Sequence, residues 1–259
     1  GKIDWNGKPY LNFSSNDYLN LANDARVKES AIHAIETYGC GATASRLMAG
    51  HLAIHENLEQ QLAAWLGMDQ CIVFPSGFQA NLGMITSVVD KTGIIYSDAL
   101  NHASIVDGCR LSGAQIEIYK HCDCNHLKHL LTTTTAPGRK LIVSDSVFSM
   151  DGDHAPLKRL ATLAKEYNCL LAIDEAHALG VFGDGKGLCH ALGILPDIVV
   201  GTMTKSFGSG GGFIASSLPF RALVINKARS FIFSTGLSPA CAGAALGALA
   251  VMRNETQLG

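Results

Sequence analysis

From residue 71 onward the chain alternates between short apolar runs and segments with helical spacing, and this alternation constrains the fold more than any other feature. The apolar runs are CIVF (71–74), GIIYS (93–97), QIEIY (115–119), KLIVSD (140–145), CLLAID (169–174), DIVVGT (197–202) and GFIAS (212–216). Runs of Val, Ile and Leu without polar alternation are typical of strands that are buried on both faces. The sequence therefore predicts an α/β fold with a mainly parallel seven-stranded sheet covered by helices on both faces.

Helices are expected between these strands, before them and after them, at residues 25–38, 52–66, 78–89, 102–112, 124–132, 157–167 and 239–253. Hydrophobic residues make up 47% of the chain and charged residues 16%, which is enough apolar material for a sizeable core. No repeat or linker interrupts the pattern. We divide the chain into an N-terminal strand and helix segment, residues 1–40, and one large domain, residues 41–259.

Charge and cysteine usage exclude several classes of protein. The net charge is −2 and no basic block is present, which argues against nucleic acid or a membrane surface as a partner. No apolar run reaches the length of a membrane span, and the first residues, GKIDWNGKPY, do not resemble a signal peptide. The eight cysteines are scattered, several within apolar runs, which is typical of reduced thiols in a cytoplasmic protein.

The segment HCDCNHLKH, residues 121–129, is the one group of candidate metal ligands. Its Cys-x-Cys spacing differs from the usual Cys-x2-Cys knuckle, and no second ligand pair follows at zinc-finger spacing. A zinc site is the alternative interpretation. We interpret the segment as a turn that leads into a helix with a polar face, and we predict no metal site.

Ligands of parallel α/β sheets bind at the carboxyl ends of the strands, so the polar residues that follow the apolar runs are the candidate site residues. Asp174 ends the run CLLAID, and His177 follows three residues later. Burying a carboxylate there is costly unless a cation or several donors meet it. Lys205 follows the run DIVVGT, within GTMTKSFGSGGGF (201–213).

Three other strand ends, together with Thr202, complete the set. In PSGFQAN, Gly77 and Phe78 are expected to present N–H groups at a helix N-terminus, where phosphate binds well. His102 follows the second strand, either as a structural residue or as a flat ring stacked on a flat ligand. Ser149 lies beside an Asp-Gly turn, and Thr202 ends the strand before the lysine.

Pyridoxal phosphate is the one ligand that uses all of these groups together. It takes a lysine as a Schiff base, an acid on its pyridinium nitrogen, donors for its phosphate and often an aromatic ring or a His over its own ring. Nucleotide-binding alternatives fit less well. Asp-Glu-Ala-His also occurs in helicase ATPases, but in GVFGDGKGL (180–188) Gly187 replaces the hydroxyl residue of a phosphate loop. GSGGG (208–212) lacks the order of a dinucleotide fingerprint.

Seven motifs resemble those of the α-oxoamine synthases, and they occur in the same order from about residue 3 to the end. They are SSNDYLNL, GATASRLMAG, FPSGFQAN, SDALNHASIVDG, VFSMDGDHAPL, DEAHALGVFGDGKG and GTMTKSFGSGGG. These fold-type-I pyridoxal-phosphate enzymes condense an amino acid with an acyl-CoA and release CO2. The motifs are most similar to those of the branch that uses L-alanine and a pimeloyl thioester, carried by CoA or an acyl carrier protein. Two related branches, glycine C-acetyltransferase and 5-aminolevulinate synthase, stay open as alternatives.

The resemblance implies a role for each candidate residue. Lys205 forms the Schiff base, Asp174 pairs with the pyridinium nitrogen and His177 lies near the phenolic oxygen. His102 stacks on the ring, and Ser149 lies beside it.

The resemblance also implies contacts at the phosphate and with the substrates. Gly77, Phe78 and Thr202 are expected at the phosphate, and Asn16 on the substrate side of the pocket. Thr235, in FSTGL, matches a residue that reaches the phosphate of a neighbouring subunit, which implies a homodimer.

The chain departs from the family pattern in three places. Asn20 and Ala178 stand where the family usually or often has Gly. The family also has a smaller C-terminal domain after an aspartate aminotransferase-like large domain, whereas this chain ends at Gly259 soon after a helix. We therefore expect that domain, with its arginine for the substrate carboxylate, to be missing.

Overall fold

The computed structural model describes residues 1–259, and seven of its nine strands form the predicted sheet. The first two strands form a separate hairpin. In chain order the strands are β1 (Lys2–Trp5), β2 (Lys8–Leu11), β3 (Gln70–Phe74), β4 (Ile94–Asp98), β5 (Gln115–Tyr119), β6 (Lys140–Asp145), β7 (Leu170–Asp174), β8 (Ile198–Thr202) and β9 (Gly212–Ser216).

Ten α-helices accompany the strands, and the seven predicted ones are present with ends shifted by at most one residue. The helices are α1 (Ala25–Tyr38), α2 (Ala53–Leu66), α3 (Gly77–Val88), α4 (Ala103–Ser112), α5 (Cys124–Thr133), α6 (Leu157–Glu166), α7 (Leu188–Ala191), α8 (Leu218–Lys227), α9 (Arg229–Ile232) and α10 (Pro239–Asn254). Three were not predicted. Of these, α7 and α9 have four residues each, and α8 lacks a distinct apolar face.

The sheet has the strand order β3-β9-β8-β7-β6-β4-β5. The neighbours from β8 to β5 are parallel, whereas β9 runs antiparallel to both β3 and β8. The prediction of a mainly parallel sheet is therefore confirmed. Because the connections between parallel strands carry helices, both faces of the sheet are covered.

Residues along each strand alternate between two apolar layers. In β6, for example, Leu141 and Val143 face the layer formed by α3, α4, α8 and α9, and Ile142 faces the layer under α5 and α6. A third cluster joins α1, α2 and α10 to β3, β8 and β9. These layers keep the strand ends rigid on one edge of the sheet, where the candidate residues lie.

The N-terminal segment contributes a hairpin and a packed helix. Asn6 and Gly7 connect β1 and β2, which pair antiparallel and are exposed. The helix α1 lies against α10, and the Ser30 hydroxyl donates to the Gly243 carbonyl oxygen at 2.6 Å. A Cβ on Gly243 would lie 2.5 Å from the Ala34 Cβ, so the contact depends on glycine. The proposed division at residue 40 stays a prediction.

A buried ion pair fixes the loop between α1 and α2. The Arg46 guanidinium lies 2.9 Å from Glu59 Oε1, and both side chains are about fully buried. The same carboxylate accepts the Val73 N–H at 2.9 Å and faces Arg221 at 3.2 Å. Burying a pair of this kind costs desolvation free energy, and such pairs are retained where their geometry fixes a register, here between the loop, α2 and β3.

None of the helices combines the length and apolarity that a membrane span requires.

Candidate active site

The register of three parallel strands brings the candidate site together. Asp145, the last residue of β6, is the direct register partner of Asp174, the last residue of β7. Asp174 in turn pairs with Val200 of β8, which ends at Thr202, three residues before Lys205. Because neighbouring parallel strands end at the same edge, residues far apart in sequence meet in space.

A cavity of about 210 Å³ lies at this edge. Eight of the ten residues predicted from the sequence line it: Gly77, Phe78, His102, Ser149, Asp174, His177, Thr202 and Lys205. A larger cleft of about 660 Å³ lies at the opposite ends of the strands, where Arg139, Lys140 and Phe220 contribute to its wall. That cleft holds no carboxylate, His or Cys, so the smaller cavity is the candidate active site.

Asp174 is a buried carboxylate with donors but no cation. Its Oδ2 accepts a hydrogen bond from Asn81 Nδ2 at 2.7 Å, and its Oδ1 accepts the Ala176 N–H at 2.9 Å. The side chain is 6% exposed, and no Lys, Arg or His lies within ion-pair distance. The donors hold its position, and the missing cation leaves a favourable place for a positively charged ligand atom.

Desolvation shifts the pKa of two other charged groups here in opposite directions. Burial raises the pKa of the Asp145 carboxyl well above its ordinary value, and the neighbouring Asp174 carboxylate raises it further. Burial also lowers the pKa of the half-buried Lys205 amine, although Asp174 and Asp145 oppose this shift. Perturbed groups of this kind cluster at functional sites, because reactive amines and acids need shifted pKa values.

His177 is held as a neutral ring. Its Nδ1 lies 2.7 Å from the Tyr18 hydroxyl, and burial lowers its pKa to about 4, with Lys205 and His102 contributing. The Asn16 side chain meets the same tyrosine, since Tyr18 Oη donates to Asn16 Oδ1 at 3.4 Å. Asn16 is exposed and does not line the cavity, so it lies at the mouth through its contact with Tyr18.

His102 is the N-cap residue of α4, which fixes its backbone. Its Nδ1 accepts the Ser104 N–H at 3.2 Å, and its own N–H donates to Asp145 Oδ2 at 2.7 Å. Its ring stands edge to face with Phe78, with the centroids 6.4 Å apart. The ring is therefore held between the end of β6 and the start of α3.

The start of α3 offers free donors. Ser76 caps the helix and accepts the Gln79 N–H at 3.2 Å, whereas the Gly77 and Phe78 N–H groups donate to no protein atom. A Cβ on Gly77 would lie 3.1 Å from the Thr202 Cβ, so glycine allows the helix to approach β8 closely. Two free N–H groups beside the Thr202 hydroxyl form an anion-binding arrangement.

Three functional residues were not identified from the sequence: Asn81, Asp145 and Tyr18. Asp145 ends a predicted strand, as Asp174 does, and this shared position was the signal that could have identified it. Asn81 and Tyr18 carried no such signal, because a helical amide and a loop tyrosine are common. The Asn81 Oδ1 atom is buried and has no partner.

Besides Asn16, Thr235 of the predicted set lies outside the cavity, and so does Glu175 of the Asp-Glu-Ala-His segment. Thr235 is exposed and pairs with Ser45 in an isolated bridge outside the cavity. Glu175, next to Asp174, turns away from the cavity and accepts the Leu188 and Cys189 N–H groups at 3.0 and 2.7 Å. It thereby ties the Asp-Glu-Ala-His segment to the start of α7.

The chain resembles known proteins along almost its whole length. Residues 8–258 match the family described as aminotransferase class I and II. The chain is 47% identical to a putative 8-amino-7-oxononanoate synthase of Gloeobacter violaceus over 258 residues, which are 98% of this chain and 66% of the relative. It is also 47% identical to the 8-amino-7-oxononanoate synthase of Lysinibacillus sphaericus, covering 97% of this chain and 66% of that protein.

A solved structure has the same fold as this chain. Serine palmitoyltransferase of S. paucimobilis, with a bound pyridoxal phosphate–myriocin aldimine, superposes with a TM-score of 0.94 at 33% identity. The match covers 97% of this chain and 66% of that one. The chain thus spans slightly less than two thirds of the length of these relatives.

The raised pKa of Asp145 predicts that Asp145→Asn stabilises the ligand-free protein more at pH 8 than at pH 5. The folded state keeps this carboxyl protonated while the unfolded state ionises near pH 4, so the wild-type stability falls as pH rises from there. Asn removes the charge and keeps an oxygen for the His102 N–H. Thermal unfolding midpoints at both pH values test this, with the exposed Asp69→Asn as the control. An Asp145→Asn effect that is equal at both pH values would contradict the assignment.

Proposed function

Because this chain belongs to the aminotransferase class I and II family, and within it resembles the α-oxoamine synthases, we propose that the cavity binds pyridoxal phosphate. We further propose that the complete protein condenses L-alanine with pimeloyl-CoA, or pimeloyl-acyl carrier protein, to 8-amino-7-oxononanoate and CO2. The observation that carries the proposal is the buried Asp174, without a cation, on the strand next to the one that leads to Lys205. Relatives at 47% identity are named 8-amino-7-oxononanoate synthase, and that name favours this product.

The residues fit the cofactor at both of its charged ends. The pyridinium nitrogen is a cation, and it would pair with the Asp174 carboxylate, which Asn81 and Ala176 hold in place and which has no cationic partner in the protein. The phosphate is an anion, and the unpaired Gly77 and Phe78 N–H groups need an acceptor. The cofactor supplies an electron sink for the carbanion that forms at the substrate Cα.

Lys205 would hold the cofactor covalently and then act on the substrate as a base. Its Nζ would take the proton from the α-carbon of the amino acid, which requires a neutral amine. Desolvation lowers its pKa, so a larger fraction of the amine is neutral than at an exposed lysine. The Asp174 and Asp145 carboxyl groups oppose that fall in pKa, so the amine can both accept and release a proton.

The two histidines would fix the plane of the ring. His177 stays neutral, since its pKa is about 4, and can donate one hydrogen bond without bringing a second positive charge to the site. His102 would form a wall of the ring pocket, with its backbone held by Asp145. We propose that Thr202 and Ser149 add hydroxyl groups at the phosphate and beside the ring.

The surface around the Ser45–Thr235 bridge suggests where a second copy binds. Met48 is 79% exposed and Phe233 is 70% exposed, although both flank the bridge. Exposed large apolar side chains of this kind mark interaction surfaces when they lie together. We propose that the protein is a homodimer, in which Thr235 faces the neighbouring subunit. The cytoplasm remains the proposed location, on the basis of eight unpaired cysteines.

We predict that Lys205→Ala removes the covalent link to the cofactor. Wild-type protein with added pyridoxal phosphate should show Schiff-base absorbance, and borohydride should fix the cofactor to Lys205. The variant should bind the cofactor only reversibly, because no other amine lines the cavity. Lys186→Ala, outside the cavity, is the matched control. Covalent labelling of the Lys205→Ala variant to the wild-type extent would exclude Lys205 as the Schiff-base residue.

We predict that L-alanine changes the absorbance of the loaded protein more than glycine or L-serine does. The change should grow when a pimeloyl thioester follows the amino acid. Titration of each amino acid into the same preparation, read by absorbance, compares the three directly. A response to glycine alone would favour the glycine-using branches, and a response to serine alone would favour the chemistry of serine palmitoyltransferase.

We predict that Met48→Glu and Phe233→Glu weaken self-association. Each places a charge on the apolar surface that the second copy would cover, and the charge would lose its water there. Light scattering after size exclusion should give a dimer for the wild type and a monomer for the double variant. Leu195→Glu, at an exposed position far from the bridge, should leave the dimer intact. A wild-type monomer at micromolar concentration would refute the dimer proposal.

A further inference from the structure

The turn after β5 and the loop after β6 meet in a cluster of His, Cys and Asp side chains outside the candidate active site. The turn contributes His121 and Cys122, and the loop contributes Asp153, more than 30 residues away in sequence. Three different ligand atoms point into one small space. We propose that His121, Cys122 and Asp153 bind a zinc ion.

The distances between the three atoms are close to those of a tetrahedral zinc site, with the His121–Asp153 distance shorter than such a site requires. His121 Nε2 lies 2.7 Å from Asp153 Oδ2 and 3.6 Å from Cys122 Sγ, which lies 3.9 Å from the same Oδ2. Zinc–ligand bonds of about 2.0 to 2.3 Å place such atoms roughly 3.3 to 3.6 Å apart. Only small side-chain rotations are needed. The ion takes the place of the proton between His121 and Asp153 and of the proton of the Cys122 thiol, and both protons go to solvent.

Asp98 supplies the support that a zinc-bound histidine requires. His121 Nδ1 lies 2.8 Å from Asp98 Oδ1, and the Asp98 side chain is almost fully buried. The Leu100 and Cys122 N–H groups donate to its two oxygens at 2.9 and 2.8 Å. A carboxylate on the far nitrogen fixes the tautomer and orients the ring toward a metal. His121 therefore has the carboxylate–histidine arrangement on one side and two further ligands on the other.

The backbone at Cys122 adds an independent observation. Its φ angle is 55°, in the left-handed region that residues other than Gly, Asn, Asp and His rarely adopt. Such a conformation is strained, and strained residues cluster at ligand-binding and active sites. Here it directs the thiol toward Asp153 and the His154 carbonyl oxygen, which lies 3.7 Å from the sulfur.

The ligand types select the metal. Thiolate and imidazole are ligands of zinc, whereas magnesium and calcium prefer oxygen alone. Three protein ligands leave a fourth position for water or for the His154 carbonyl oxygen. The other candidates in residues 121–129 are used differently, since His126 Nδ1 accepts the Lys120 N–H and His129 is exposed on α5. From the sequence we predicted no metal site, because the Cys-x-Cys spacing is unusual for zinc and no second ligand pair follows; Asp98 and Asp153 lie outside that segment.

The site would connect two loops that also reach the active site. The loop after β6 carries Ser149 and closes with the Val147–His154 bridge. Asp98 ends β4, four residues before His102. A bound ion would hold both loops to the turn after β5. This proposal does not depend on the proposed function, since zinc binding is measured without cofactor or substrate.

The test is dialysis of the 259-residue protein against zinc, followed by metal analysis. We expect about one zinc ion per chain for the wild type and a loss of it in Cys122→Ser and Asp153→Asn. Asp98→Asn should weaken zinc affinity roughly 10- to 100-fold. Cobalt in place of zinc should give a thiolate charge-transfer band that Cys122→Ser lacks.

Matched controls separate the site from other thiols and histidines. Cys124→Ser, at the start of α5, and His129→Gln should both keep the zinc. Zinc should raise the thermal unfolding midpoint of the wild type and of these controls, but not that of Cys122→Ser, so a folded variant that has lost the site is recognised. A wild type that retains no zinc, or a Cys122→Ser variant that retains as much as the wild type, would overturn the proposal.

Discussion

The carboxylate of Asp174 sits at the end of an apolar strand, and the other groups of the cavity are arranged around that unfavourable position. A charge that leaves water is stable only with donors or a counter-charge. Asn81 and the Ala176 N–H supply the donors at 2.7 and 2.9 Å, and the protein supplies no cation. The same buried charge raises the pKa of Asp145 and opposes the fall in the pKa of Lys205.

Strand register turns this local constraint into an active site. The pairing of Asp145 with Asp174, and of Asp174 with Val200, makes three strand ends coincide at one edge. A slip of one residue in β7 would turn Asp174 toward the opposite face and bury Ile173 in its place. The apolar residues that alternate along β6 and β7 prevent that slip, since each belongs to a packed layer. Packing of the core therefore determines the geometry of the cavity.

The sequence predicted the sheet and eight residues of the cavity because both depend on local pattern. Continuous apolar runs identify buried strands, and polar residues after them identify the ligand edge. Contacts between distant elements were not readable in this way. The amide of Asn81, which reaches Asp174 from α3, and the aspartates that meet His121 are examples. Asn20, which stands where the family usually has Gly, has a φ angle of 55°, in the left-handed region that glycine adopts readily.

The cavity carries charges of opposite sign at its two ends, and this limits what can bind. His177 has a pKa of about 4, so its ring is neutral near neutral pH. The pKa of Asp145 is raised, which favours the protonated form of that carboxyl. One carboxylate, Asp174, then remains at the strand end. The free N–H groups of Gly77 and Phe78 lie at the other end, at the positive terminus of α3. A flat ligand with a cationic ring nitrogen and an anionic phosphate matches both ends.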